Sequence, residues 1–348
     1  MNAQSTSRIC FRGLGNMGAK VIYLAGKLPE ERRRFAFTSA VVLADDITKH
    51  NLGYLMDNGF LPSDIELFVE GDASTFSRFV GNRAIIRDVS EFKPSKLAVD
   101  VFVDFTFNAT EFHSRLTAEQ VKQPLVVQSN NYRQGVLWVP PMKQNKPENG
   151  VYRAADCSLG GAIPVLARLH AIFNRLGFTF ITDRNAGKSA ESPFDNTFYF
   201  SDSFPRRKSA EFGKLTRVPC LVSMVSSPVV NPFYLCVVSA IIDNSAVPTK
   251  IESWTKLERN GFAPLLRDSP RIQVCREDST ANHKLPAEPE TIDEFARRYP
   301  DPHSVAYIVY FTRTFQRIGT DVAFKIGFDV NLTAAMSNVD LLEALSTD

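Results

Sequence analysis

The residues Gly13-Leu14-Gly15-Asn16-Met17-Gly18 (GLGNMG) stand between an apolar run at 9–11 and a helical pattern at 19–28. This arrangement predicts a strand, a tight turn and a helix. Glycines at such a turn leave backbone amides uncovered, and these amides together with the helix dipole attract a phosphate. The stretch therefore predicts a Rossmann-type turn that binds the pyrophosphate of a dinucleotide. The residues assigned to this cofactor are Gly13, Gly15, Asn16, Met17 and Gly18.

A series of short apolar runs extends this unit into a sheet. The first of them, 39–44, predicts a buried strand and completes a strand–helix–strand unit. Further strands are predicted at 65–69, 83–87, 99–105 and 125–128. Their alternation with helical and polar segments is typical of a parallel sheet. Residues 130–150 are rich in Pro, Asn and Lys, as expected of a crossing between domains, so the first domain is assigned to 1–154.

Two aspartates follow the second predicted strand, where dinucleotide-binding folds place the acid that binds the ribose hydroxyls. We assign this role to Asp46. In the alternative, Asp45 and Asp46 cap the helix that follows. The basic run Arg32-Arg33-Arg34 would suit a phosphate on the ribose, although a charge run is more often a solvated surface. NAD is therefore the expected cofactor, with NADP and the loss of the cofactor as alternatives.

The pattern changes after Cys157. Apolar residues at helical spacing and a glycine where the helix would end predict one helix there. These residues are Leu166, Leu169, Phe173, Leu176 and Gly177. Long alternating runs follow and predict an antiparallel sheet. The runs are 178–182, 221–225, 233–243, 305–312 and 322–330, with a helix predicted at 248–259 and a polar excursion at 277–302. His283 in this excursion and His303 directly after it are expected to be solvated.

The predicted fold class is thus α/β, with a Rossmann-type parallel-sheet domain followed by an α+β substrate-type domain that contains an antiparallel sheet. At 348 residues, 44% of them hydrophobic, the chain has enough material for two such cores. Its 40 basic and 38 acidic residues are mixed along the chain and leave a net charge of only +2. No overall field would attract a polyanion, so nucleic-acid binding is not expected.

The cysteine content and the hydropathy indicate where the protein resides. The five cysteines are odd in number and lack metal-ligand spacing, which favours a reducing compartment. No run approaches the ~18 apolar residues of a membrane span, and an apolar run that begins at residue 9 leaves no room for a signal peptide. A cytoplasmic location is expected, with an organellar location after presequence removal left open.

Cys157 lies in the stretch Ala155-Asp156-Cys157-Ser158, directly before a predicted helix. Exposed amides and the helix dipole stabilise a thiolate at such a position, so a reactive thiol is a physically reasonable hypothesis. The alternative is a small buried residue in a tight turn, which is the commoner environment of a cysteine outside a disulfide.

At this point the sequence resembles a known family, the glyceraldehyde-3-phosphate dehydrogenases. The similar stretches run in order from residue 8 to the end of the chain. They are residues 11–18, 43–48 and 99–106, Cys157 with Pro164, Arg217-Val218-Pro219, residues 328–331 and residues 337–342. The resemblance implies a substrate-type domain at 155–335 and a C-terminal helix at 336–348 that returns to the first domain.

The resemblance also implies a chemistry. In that family a thiolate attacks an aldehyde, a histidine acts as base, hydride passes to NAD, and phosphate releases the acyl group. By resemblance, Cys157 is the nucleophile, Ser158 and Arg217 bind the substrate phosphate, and Asn331 anchors the nicotinamide.

Several positions depart from the family pattern. Asp183 stands where the catalytic histidine is expected, and it is a poor base because a carboxylate near a thiol disfavours the thiolate. Asp156 replaces a serine that would bind phosphate, while Leu159 and Gly160 replace a threonine and an asparagine. The segment 183–217 is shorter than its counterpart, which contacts a neighbouring subunit. The family's usual tetramer is therefore not expected.

Two functions from different classes follow. The favoured one is a divergent homologue with impaired catalysis that keeps the nucleotide-binding scaffold and acts as a binding or structural subunit, because several catalytic features are altered together. It implies protein partners or a larger assembly, with a homo-oligomer as a further possibility and no membrane partner. The alternative is an active NAD(P)-dependent aldehyde oxidoreductase that uses Cys157 as its thiolate nucleophile.

Overall fold

The computed structural model describes residues 6–106, 108–128, 132, 134–139, 142, 150–183, 199–200, 203–227, 233–246, 253–276 and 291–346. The chain divides into two compact units. The first unit comprises Met1–Asp156, Pro289–His303 and Ala334–Asp348, and the second comprises Cys157–Glu288 and Ser304–Thr333.

The first unit is built on a parallel sheet of eight strands. The strands are β1 (Ser7–Arg12), β2 (Phe35–Leu43), β3 (Glu66–Glu70), β4 (Ile85–Asp88), β5 (Val101–Asp104), β6 (Leu125–Val127), β7 (Val136–Leu137) and β8 (Val151–Arg153). Their order is β4-β3-β2-β1-β5-β6-β8-β7, and every pair is parallel. The parallel α/β domain predicted from the sequence is confirmed.

Helices connect these strands. They are α1 (Asn16–Gly26), α2 (Asp46–Asp57), α3 (Ala73–Val80) and α4 (Thr110–Ala118). The apolar residues that predicted α1 are buried, among them Val21, Ile22 and Leu24. From β1 the chain builds outward through β2 to β4 and then returns to add β5 on the other side of β1. The carboxyl ends of β1 and β5 therefore flank the topological switch point, where open α/β sheets bind their ligands.

The second unit contains a mixed sheet of seven strands. They are β9 (Phe173–Asp183), β10 (Tyr199–Phe200), β11 (Cys220–Ser227), β12 (Phe233–Ile242), β13 (Ile272–Cys275), β14 (Ile308–Ile318) and β15 (Asp321–Asp329), in the order β10-β11-β9-β12-β15-β14-β13. Most pairs are antiparallel, as predicted, but β9–β11 and β13–β14 are parallel. Both exceptions join strands that are far apart in the sequence, and only such long connections allow parallel pairing.

The remaining helices are α5 (Cys157–Leu169), α6 (Ser203–Thr216), α7 (Trp254–Asn260), α8 (Ala263–Leu266), α9 (Ile292–Arg298) and α10 (Val330–Ser346). Residues 247–252, the first part of the helix predicted at 248–259, lie outside the described residues. None of the helices in the described part of the chain is long and apolar enough to span a membrane.

The helix predicted to run from Cys157 toward Gly177 is wrong in its second half, since α5 ends at Leu169. From Phe173 the chain is a strand that hydrogen-bonds to β11 on one side and to β12 on the other. Leu176, Phe178 and Phe180 are buried, while Gly177 and Thr179 between them are partly exposed, which is the alternation of a central strand. Pairing on both edges thus overrides a helical spacing that is met by only four residues.

The polar excursion predicted at 277–302 contains α9, and its end belongs to the first unit rather than the second. The hydroxyl of Tyr23 on α1 donates to the carbonyl of Tyr299 at 2.8 Å, and the buried ring of Phe295 packs on Tyr23 at 5.8 Å between centroids. His303, expected to be solvated, places Nε2 2.8 Å from the Leu24 carbonyl. The apolar face of α9 is short and lies in a polar sequence, so it was not predicted. Residues 277–290, with His283, lie outside the described residues.

Candidate functional site

The turn after β1 has the backbone geometry that the glycine pattern predicted. Gly13 has φ +88°, a conformation that L side chains rarely adopt, and its amide donates to the Val41 carbonyl at 2.9 Å. A Cβ added at Gly18 would lie within 3.0 Å of the Gly13 carbonyl oxygen, so this glycine allows α1 to pack tightly against the turn. Gly13 and Gly18 are therefore required by the fold itself.

Gly15 differs from the other two glycines. It precedes α1 as the N-cap residue, with φ −72° and no side-chain cap, and an added Cβ would meet nothing within 4 Å among the described residues. Asn16 is exposed and Met17 half-buried in the first turn of α1. The backbone at Gly15 thus faces open space at the amino end of an 11-residue helix, where amides and dipole favour an anion.

Asn51, which was not predicted from the sequence, stabilises this turn by a hydrogen bond from α2. The side-chain amide of Asn51 on α2 is 4% exposed and donates to the Leu14 carbonyl at 2.9 Å. The feature that could have identified Asn51 is its position on the buried face of α2, beside Thr48, Leu52 and Leu55. A buried asparagine on an apolar face implies a polar partner nearby, and here the partner is the glycine turn.

The two aspartates after β2 have separate environments. The Asp45 side chain accepts a hydrogen bond from the Thr48 amide at 2.7 Å and caps α2, as the alternative interpretation predicted for this residue. The Asp46 side chain is 99% exposed and lies 3.1 Å from Lys49 Nζ. Only the Asp46 carboxylate is therefore open to a ligand at the carboxyl end of β2.

Cys157 is the first residue of α5 and is half-buried. The amino half of α5 packs directly on the second sheet, because a Cβ at Gly161 would lie within 3.0 Å of three ring atoms of Phe328. Phe328 stands next to the end of β15, and β9 runs in the same direction as β15, since both are antiparallel to β12. Cys157 therefore lies over the edge of the sheet where β9 and β15 finish.

Two other predicted site residues stand at that edge. Asp183 is the last residue of β9, and its side chain lies outside the described residues. Asn331 follows the end of β15, is 2% exposed, and its amide oxygen and nitrogen have no hydrogen-bond partner within the described part of the chain. A buried amide without described partners is costly, which makes Asn331 an unusual residue at the edge over which Cys157 lies.

Ser158 and Arg217 have different settings in the second unit, and their binding of a substrate phosphate stays a prediction. Ser158 is 1% exposed. Arg217 precedes β11, which runs parallel to β9 and begins beside Leu176, so Arg217 lies at the opposite edge of the sheet. Seven residues of β9 at ~3.3 Å each separate Leu176 from Asp183, roughly 23 Å. The exposed Arg217, with φ +59°, follows the end of α6, where a cation is favoured by the helix dipole.

Three of the other cysteines have thiols whose ionisation is disfavoured by burial. Burial raises the pKa of the Cys10 thiol to about 12 and also raises the pKa of Cys236 and, less completely buried, of Cys220. None of the five cysteines, all within the described residues, forms a disulfide. Within the same residues, no three potential metal-ligating side chains come together.

The comparisons with known proteins support the fold. No protein-family model and no curated protein sequence matches the chain. A crystal structure of aspartate semialdehyde dehydrogenase II from Vibrio cholerae, complexed with ASA, is similar over 99% of this chain and 99% of its own, with a TM-score of 0.58 and 13% sequence identity. At this identity the likeness shows a dehydrogenase fold, with its Rossmann-type domain and second mixed-sheet domain, and no more than the fold.

Proposed function

We propose that the chain binds a nicotinamide dinucleotide on a dehydrogenase scaffold, and that its thiol chemistry is impaired, so that it acts as a binding or structural subunit. The observation that carries the proposal is the open backbone at Gly15, between two glycines whose Cβ positions are blocked. This is the division of roles that pyrophosphate binding requires, with tight packing on either side of an exposed amide. The fold similarity to a semialdehyde dehydrogenase supports the scaffold in this proposal.

NAD is proposed over NADP. The exposed Asp46 carboxylate at the end of β2 is placed to accept hydrogen bonds from ribose hydroxyls, and it would repel a phosphate on the same ribose. Lys49, 3.1 Å from Asp46, reduces this repulsion, so the proposed preference is modest.

Impaired catalysis is proposed because Asp183, and not a histidine, ends the strand β9 at the edge over which Cys157 lies. His170 is a described histidine of the same unit as Cys157. His170 follows the carboxyl end of α5, thirteen residues from Cys157, with Nδ1 3.0 Å from the Leu166 carbonyl. A positioned general base contributes about 10²–10⁴ in rate, so its loss would leave little turnover.

Titration with NAD while the thermal unfolding midpoint is followed tests the nucleotide proposal. At NAD concentrations a hundredfold above Kd the native state gains ~2.7 kcal/mol, and the midpoint is expected to rise steadily with NAD concentration. NADP is expected to give a smaller rise at each concentration. Cys157→Ser is the matched control and should respond as the wild type does, because the thiol has no part in binding the pyrophosphate. An unchanged midpoint up to millimolar NAD and NADP would exclude the proposal.

A second candidate, an active aldehyde oxidoreductase, is favoured by the unpaired amide of Asn331 at the edge where Cys157 lies. Iodoacetamide labelling followed by peptide mass spectrometry separates the candidates. Cys220 and Cys275, which are also half-buried, serve as internal controls within the same sample. With impaired chemistry, Cys157 is expected to label no faster than these two. Labelling of Cys157 that is at least tenfold faster and sensitive to NAD, together with aldehyde turnover lost in Cys157→Ser, would favour the active enzyme instead.

A further inference from the structure

The glycine turn is supported from the neighbouring strand by Thr106. A Cβ placed on Gly13 would lie 2.8 Å from Thr106 Cγ2, so the threonine methyl packs directly behind the Gly13 Cα. Thr106 stands two residues after β5, on the other side of the topological switch point from β2. The position of Gly13, and of the amides that follow it, is therefore limited by where this methyl lies.

Asp104 fixes the rotamer of Thr106. Its Oδ1 accepts from the Thr106 amide at 2.7 Å and from the Thr106 hydroxyl at 2.6 Å. With the hydroxyl held in this way, the methyl has one remaining staggered position, and that position faces Gly13. The carboxyl group thus acts on the turn through the threonine rather than by touching it.

Arg12 completes the arrangement from β1. The Asp104 side chain is 0% exposed, and burial raises the pKa of its carboxyl group, while the Thr106 hydrogen bonds and Arg12 act in the opposite direction. Arg12 Nη1 lies 3.6 Å from Asp104 Oδ2 and donates to the Asn108 carbonyl at 3.2 Å. Asp104 and Arg12 pair in the sheet as the last residues of β5 and β1, so this contact joins the two strands that flank the switch point.

The same turn, in which an aspartate accepts from the amide and the hydroxyl of the residue two positions later, also occurs at an exposed position of the chain. Asp88, at the end of β4, accepts from the Ser90 amide at 2.8 Å and from its hydroxyl at 2.6 Å. Both of these residues are solvent-accessible, and β4 is the edge strand of the sheet. The motif alone is therefore only a turn. Asp104 differs in its complete burial, in its partly buried partner charge Arg12 and in the Thr106 methyl packed on Gly13.

We infer that Asp104, Thr106 and Arg12 are positioning residues for the phosphate-binding turn, which they hold with the Gly15 backbone open toward the pyrophosphate. The inference rests on the proposed dinucleotide binding. A buried carboxylate costs folding energy that an apolar residue would not, and a role in setting the turn gives a reason for its presence.

Two substitutions at Thr106 separate the hydroxyl from the methyl. Thr106→Ser keeps the hydroxyl that bonds Asp104 and removes the methyl behind Gly13, and Thr106→Val keeps the methyl and removes the hydroxyl. Each is expected to lower the affinity for ADP-ribose, which contains the pyrophosphate, by about tenfold, the effect of one lost interaction of this kind. The affinity for adenosine, which has no phosphate, should stay within twofold. Ser90→Ala is the matched control and should change neither affinity.

Amide hydrogen exchange of the ligand-free protein gives a second readout. The amides of residues 13–15 are expected to exchange faster in both Thr106 variants than in the wild type, with unchanged exchange in Ser90→Ala. Wild-type affinity for ADP-ribose and unchanged exchange in both Thr106 variants would overturn the inference and leave the proposed function standing. A wild-type protein that binds no ADP-ribose would overturn both. Equal losses for ADP-ribose and adenosine would show a general effect on folding and would also overturn the inference.

Discussion

Gly15→Ala is expected to leave the fold intact and to lower the affinity for NAD by about a hundredfold or more. Gly15 has φ −72°, which alanine adopts without strain, and the added methyl meets nothing within 4 Å among the described residues. The free energy of unfolding should therefore fall by no more than about 1 kcal/mol, the order of the preference for glycine over alanine at N-cap positions. The methyl would stand between the backbone amide and a phosphate that must approach it to hydrogen-bond distance.

Gly18→Ala is the matched control for this prediction. Its added methyl would lie within 3.0 Å of the Gly13 carbonyl oxygen, a backbone atom that cannot turn away. We expect it to destabilise the protein by ~1–3 kcal/mol, the range for overpacked sites. Urea unfolding and isothermal titration with NAD distinguish the two variants. Gly15→Ala is expected to lose NAD binding with little loss of stability, and Gly18→Ala is expected to lose stability. Wild-type NAD affinity in Gly15→Ala would mean that the pyrophosphate does not lie on this turn.

The glycine turn could be predicted from the sequence because every feature that defines it is local. Strand, turn and helix lie within residues 7–26, and Gly18 is required by its contact with Gly13 inside that segment. The residues that hold the turn from outside, Asn51 and Thr106, were not predicted. Their partners lie 37 and 93 residues away along the chain, and only the packing of α2 and β5 against the turn brings them together.

The site around Cys157 could be predicted less well, and the reason is the direction of the strands. The helix start at Cys157 is a local feature and is present as expected. Which edge of the sheet Arg217 occupies depends on whether β11 runs parallel or antiparallel to β9, and periodicity does not contain that information. The expected antiparallel sheet would place the start of β11 at the edge where β9 ends. The parallel pairing places it at the other.

Gly161→Ala is expected to destabilise the second unit, although Gly161 lies inside a helix. Alanine is preferred to glycine in a helix by about 0.8–1 kcal/mol, so propensity alone predicts a gain in stability. The packing predicts the reverse, because the added Cβ would lie within 3.0 Å of three ring atoms of Phe328. Phe328 is 0% exposed and its ring contacts Phe180 at 6.2 Å between centroids, so it has little room to move. A net loss of ~2–3 kcal/mol in urea unfolding is expected.

Gly177→Ala provides the contrast within the same sheet. Its added Cβ would also fall within 3.0 Å of a neighbouring atom, but that atom is Ser239 Oγ, the end of an exposed side chain that can rotate. The loss should therefore stay below about 1 kcal/mol, as for surface sites whose neighbours can adjust.

A double-mutant cycle identifies the contact responsible. Phe328→Leu removes ring volume, so the Gly161→Ala/Phe328→Leu protein should be more stable than the sum of the two single losses implies, by ~1–2 kcal/mol. Strict additivity would show that α5 does not rest on Phe328. Because Cys157 lies one turn before Gly161, a displaced α5 must also change the surroundings of the thiol. The iodoacetamide labelling rate of Cys157 should then change in Gly161→Ala and move back toward the wild-type rate in the double variant.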